Sequence, residues 1–196
     1  ELTENRRRML SAKSRRGVLY VRADRLFAEA PEEVHAAVAG YFQAEPGSET
    51  VISHWIEAHR PELNERRQRE TKVRTGGRHH DLVAIYEEQN HRFFEGALSL
   101  RITWSRAAKK KKRQTIQLGA YCPEERIIRI HPALDQAFVP EYFVRAVVFH
   151  EMLHHVITPS AGRVHTPAFD AAERAHPDFA RARRWEEKNL KRLLRY

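Results

Sequence analysis

Apolar positions along this chain recur mostly at helical spacing, with a short central stretch of alternation, and that division predicts the order of elements. Near the N-terminus Pro31 suits a first helical position ahead of EEVHAAVAGYF. Ser48 can cap a second helix that places Val51, Ile52, Trp55 and Ile56 on one face and stops before Pro61. From Asn64 to Arg78 the chain is polar and basic and contains Gly76-Gly77, which reads as a linker or a solvated helix end. The pattern therefore predicts a helical N-terminal extension over residues 1–78, ahead of a second domain over 79–196.

In that second domain Asp81 can cap a helix whose face is Leu82, Ile85, Tyr86, Gln89 and Phe93, with Gly96 placed to end it. Three strand-like runs follow, LSLRITW, TIQLGAY and RIIRI, and Pro123 in the intervening CPEE favours a turn. Pro140 then opens EYFVRAVVFHEMLHHVI, which is apolar nearly all round and so predicts a buried helix. Beyond the loop SAGRVHTP, a helix is expected around AFDAAERA, and a last one after Pro177 with Phe179, Ala182, Trp185, Leu190 and Leu193 at helical spacing. The fold class expected is α+β, a small sheet packed on a long buried helix.

Composition narrows the chemistry. With 41% apolar and 31% charged residues in 196, the chain can bury one ordinary core and is neither fibrous nor disordered. Its single cysteine, Cys122, excludes an internal disulfide framework and a thiolate zinc cluster, and points to a reducing, cytoplasmic setting. No apolar run approaches the roughly 20 residues of a membrane span, and ELTENRRRML has no apolar signal core, so no membrane association is expected. The net charge of +9 favours polyanionic partners. Six of the eight residues in RAAKKKKR, 106–113, are basic, and this loop is the candidate DNA contact, with Trp104 or Tyr121 available to stack on a base. A solvated hairpin loop beside a core tryptophan is the plainer reading of the same residues.

Within the buried helix, HEMLH puts His150 and His154 one turn apart, so both imidazoles project from one face and can reach one cation. Glu151 lies beside them, where it can hold the attacking water and accept its proton. Ionisable groups in an apolar helix are costly unless a metal or hydrogen bonds compensate them. Catalytic zinc takes three protein ligands and keeps one position open. Two residues compete for the third place: His165, just after a glycine-containing loop that can turn the chain back, and Glu173 on the next helix. His155 is rotated by about 100° from His154 and is not expected to ligate.

Taken with these residues, the segments NHRFFEGALSLRITWS, LGAY, RIIRI, HEMLHH and RVHTPAF resemble the SprT-like zinc metalloprotease domain, the family that includes the Spartan proteases. The resemblance spans about residues 81 to 176. It implies a zincin-like fold, a Zn2+ ion held by His150, His154 and His165, Glu151 as the catalytic residue, and proteolysis, with DNA-associated proteins as a substrate class. Two departures stand out. His165-Thr166 replaces the histidine-glycine pair of many relatives, and the cysteine-rich zinc ribbon that often follows is absent.

The function expected is therefore zinc-dependent hydrolysis of peptide bonds in a protein or peptide substrate. The alternative class is a nucleic-acid-binding module with a closed structural zinc site. Tyr121, Arg163 and His176 are the residues considered for oxyanion stabilisation, and none is singled out by spacing. Oligomeric state is not legible in the sequence.

Overall fold

The structure, a computed structural model, describes residues 1–3, 9–106, 114–160 and 162–196. Among these the chain is α+β, with seven helices and two small three-stranded sheets. It divides into two compact units, Glu1–Arg69 and Glu70–Tyr196. Of the basic run expected to meet DNA, all but Arg106 lies outside the described residues. No helix among the described residues is long and apolar enough to cross a membrane.

The first unit is not wholly helical, which corrects the expectation for residues 1–78. It opens with β1 (Leu2–Thr3), β2 (Leu10–Arg15) and β3 (Val18–Asp24), in the order β1-β3-β2. Arg16 and Gly17 join β2 to β3 with φ of 51° and 79°, the positive values that a two-residue hairpin turn needs to match strand twist. Register pairs Leu10 with Ala23 and Ala12 with Val21. Leu10, Val21 and Ala23 pack against a core of Phe27, Val34, Val38 and Ile52. The alternation is masked because Val18 to Val21 of β3 are all apolar, on both of its faces.

Helices α1 (Glu32–Tyr41), α2 (Ser48–Ala58) and α3 (Arg60–Glu70) follow. The N-cap of α2 is Gly47, in the left-handed region at φ 86°, and Ser48 is its first helical residue rather than its cap. Of the two readings of residues 64–78, linker or solvated helix end, the second holds as far as α3 extends. Beyond it, residues 71–77 reach β4: the N–H of Arg74 donates to the hydroxyl of Thr103, and its carbonyl accepts from the N–H of Trp104.

The second unit follows the expected element order. Asp81 caps α4 (Leu82–Phe94), accepting from the N–H groups of Val83 and Ala84. The sheet, β4 (Arg101–Trp104), β5 (Gly119–Cys122) and β6 (Ile127–Ile130), has the order β4-β6-β5, with β6 parallel to β4 and antiparallel to β5. The central strand is covered on both faces, so Ile127, Ile128 and Ile130 are fully buried. Leu98 and Leu100 precede β4 instead of belonging to it.

Helix α5 (Glu141–Val156) crosses this unit. Pro140 enters it with extended φ and ψ, and Glu141 suits the positive end of the dipole. Its β-branched Val144 and Val148 cost a little helix propensity, which complete burial beside Phe143 and Met152 outweighs. Helices α6 (Pro167–Arg174) and α7 (Phe179–Leu193) close the unit. His80 is buried, with Nε2 3.1 Å from the carbonyl oxygen of Val139. Its loop is drawn inward because the backbone N–H groups of Arg78, His79 and His80 all donate to Asp135. Trp104 is buried in the core, as the plainer reading expected.

Candidate metal centre

Three imidazoles converge. The Nε2 atoms of His150 and His154 lie 3.1 Å apart, and those of His154 and His165 lie 3.4 Å apart. One ligand atom from each of the three residues falls within 4.8 Å of the others. A tetrahedral zinc about 2.0–2.1 Å from each nitrogen would set them about 3.3 Å apart, so the two short spacings fit such an ion. A cation shared by nitrogens that turn their lone pairs inward would offset their mutual repulsion.

Helix α5 fixes the first two rings through its one-turn spacing. His165 comes from the loop before α6, where Gly162 takes φ 74° and backbone hydrogen bonds join Ser160 to Arg163 in both directions. Thr166, which stands where many relatives of the resembled family have glycine, caps α6: its hydroxyl accepts from the N–H of Phe169. Fully buried Phe169 lies beneath all three rings, its centroid 5.0 Å from that of His150 and 4.7 Å from those of His154 and His165. Burial and the neighbouring His150 and His165 push the His154 imidazole down to about 4, which keeps it neutral and its lone pair available.

Glu173 faces elsewhere. Its Oε1 lies 2.7 Å from Nδ1 of His150, the ring nitrogen turned away from the cluster. This hydrogen bond fixes the tautomer that leaves the Nε2 lone pair of His150 pointing inward. The hydrogen bond from His150 holds the Glu173 carboxyl below its ordinary range.

Glu151 is 5% exposed and turns toward β5. Burial pushes its carboxyl up to about 7, against the lowering influence of His150 and the backbone N–H of Tyr121. Gly119 makes room for it. A Cβ at that position would lie 2.7 Å from Cγ and 2.8 Å from Cδ of Glu151, closer than real side chains approach. The sequence reading passed over Gly119, although a glycine inside a strand is a signal for such close approach. For a site in which Glu151 activates water, Gly119→Ala is expected to leave metal binding intact and to lower kcat for hydrolysis by about 10- to 100-fold with little change in KM, because Glu151 must shift to make room. Unchanged kcat would show that the contact does not position the carboxylate.

The remaining candidates have other partners. Tyr121 hydrogen-bonds through its hydroxyl to Nδ1 of His155, 2.8 Å away. Buried His176 is held by Oε1 of Gln89 and packs against Phe93 and Phe149. Arg163 is exposed. Cys122 is half-buried and donates to Glu124, which suits a structural residue. A cleft of about 590 Å³ opens over the site and is lined by His150, Glu151, His154, His165 and residues of β5 and α7. No protein-family model matches the chain, and no match was found to a curated protein or to a solved structure.

Proposed function

We propose that this chain is a zinc-dependent peptidase of zincin-like architecture, with His150, His154 and His165 as ligands and Glu151 as the general base. The observation that carries the reading is the convergence of three Nε2 atoms beside a buried carboxylate at the floor of an open cleft. Zinc bound there supplies a Lewis acid that polarises the scissile carbonyl and makes water nucleophilic near neutral pH. Glu151 takes the proton released as water attacks the carbonyl carbon and returns it to the departing amine. The edge strand β5 borders the cleft, so an extended peptide can add to the sheet there while its carbonyl reaches the site. Among the described residues the cluster holds three ligands and not four, which favours a catalytic site with an open position over a closed structural one. The resemblance to SprT-like domains points the same way.

The test is reconstitution. Stripping the full chain with a chelator should abolish hydrolysis of a casein or DNA-binding-protein substrate, and one equivalent of Zn2+ should restore it. Adding single-stranded DNA tests the partner expected from residues 106–113: stimulation supports it, and no effect at moderate salt removes it. A chain that binds no stoichiometric zinc, or binds it and cleaves nothing, would sink the peptidase reading.

A further inference from the structure

Helix α5 presents two adjacent faces near its C-terminal end. His150 and His154 share one of them. Glu151 and His155, rotated from these by about 100° and themselves one turn apart, share the other and turn to β5. Four residues climb about 6 Å along a helix, and the two steps from Gly119 to Tyr121 cover about 6.4–6.8 Å along a strand. Helix and strand therefore meet at two rungs, Glu151 against Gly119 and His155 against Tyr121.

At the first rung the strand contributes no side chain, and Glu151 fills the space beside Gly119. Tyr121 is the next residue of β5 on that face, by the two-residue period of a strand. Its hydroxyl lies 2.8 Å from Nδ1 of His155, and the rings meet edge to face with centroids 5.5 Å apart at 69°. The backbone of the same residue serves Glu151. The carbonyl of Leu118 accepts from the N–H of His131 on the side where β5 meets β6, so alternation turns the N–H of Tyr121 to the open edge of the sheet. There the Glu151 carboxylate accepts it.

We propose that His155 is a positioning residue for Glu151, acting through Tyr121: the bond between the two side chains holds β5 against α5 and so keeps the Tyr121 N–H on the carboxylate. The inference rests on the peptidase reading for its effect on turnover, and on the two rungs for the contact itself. Strand β5 is four residues long and bonded to β6 along one side, so the ladder restrains only that edge. The other edge is tied to α5 where Tyr121 meets His155. Packing does not need the hydroxyl, since the ring of Tyr121 also lies against the apolar core, where a phenylalanine would fit equally well. The hydroxyl supplies direction. A displacement of 1 Å in a reacting group can cost about 100-fold in rate, so a smaller slip of Glu151 is expected to cost about tenfold.

The zinc-loaded full chain is compared with His155→Ala, Tyr121→Phe, the double variant and His155→Asn, by amide hydrogen exchange and by kcat and KM on one peptide. Tyr121→Phe keeps the ring and loses only the hydroxyl, so the result does not depend on one variant folding. Asparagine sets its amide where Nδ1 of His155 stands and can renew the bond. In His155→Ala and in Tyr121→Phe the amide of residue 121 should exchange at least about tenfold faster than in the parent, while that of Val148 in α5 keeps its rate. Both should lower kcat about tenfold with KM changed by less than about twofold. The double variant should be no worse than either single one, because both remove the same bond. His155→Asn should recover most of the loss. Unchanged exchange at residue 121 would overturn the contact, and an unchanged kcat, additive losses in the double variant or no recovery with asparagine would overturn the positioning role. A parent that cleaves nothing would overturn the peptidase reading instead, and exchange at residue 121 would then decide the contact by itself.

Discussion

Glu151→Gln is expected to retain one zinc per chain and the native fold while losing about 10²- to 10⁴-fold in peptide hydrolysis, the contribution typical of a general base. The glutamine has the same shape, so it fits the space that Gly119 leaves and can still accept from the backbone N–H of Tyr121. Stability should not fall, since burial already disfavours the charged carboxylate and a neutral amide meets no such cost. Only the proton acceptor is lost. Metal content by mass spectrometry, melting temperature and kcat/KM on one peptide separate these effects. Full activity in the variant would falsify the assigned mechanism, and loss of zinc along with activity would make Glu151 a structural participant in the site.

His165→Ala and Glu173→Ala should differ sharply in zinc retention. His165 turns its Nε2 to within 3.4 Å of that of His154, in the spacing a shared ion requires. Glu173 instead accepts from Nδ1 of His150, behind the ring. Removing an outer partner of this kind typically costs about 10- to 100-fold in metal affinity, because the histidine loses its orientation and some basicity. Removing one of three ligands should cost considerably more. Competition against a graded series of chelators measures both on one scale. Should Glu173→Ala prove the weaker binder, Glu173 would be the third ligand and the convergence of His165 would be incidental.

The elements that local patterns predicted well are those whose signals are themselves local. Asp81 caps α4 through N–H groups two and three residues away, a contact written into adjacent positions. The one-turn spacing of His150 and His154 likewise needs only the helix, and the apolar run from 141 to 157 made that helix plain. The N-terminal strands were missed because β3 runs Val18-Leu19-Tyr20-Val21, apolar on both faces with Val18, Leu19 and Tyr20 exposed, so no alternation marks the inward side. The Arg16-Gly17 turn was the legible sign of the hairpin.

Residue types and spacing by themselves thus determined the helix, two imidazoles on one face of it and a carboxylate next to them, since a period of 3.6 residues acts over single turns. Tertiary structure decided what depends on chain return. It brought the loop before α6 back so that His165, and not Glu173, faces the two imidazoles. It set β5 against α5 so closely that a Cβ at 119 would press on the Glu151 side chain. It also placed residues of α5, α7 and β5 along one cleft over the histidine cluster. The first two of these join positions separated by 11 to 32 residues in the chain through backbone paths whose geometry no local period encodes.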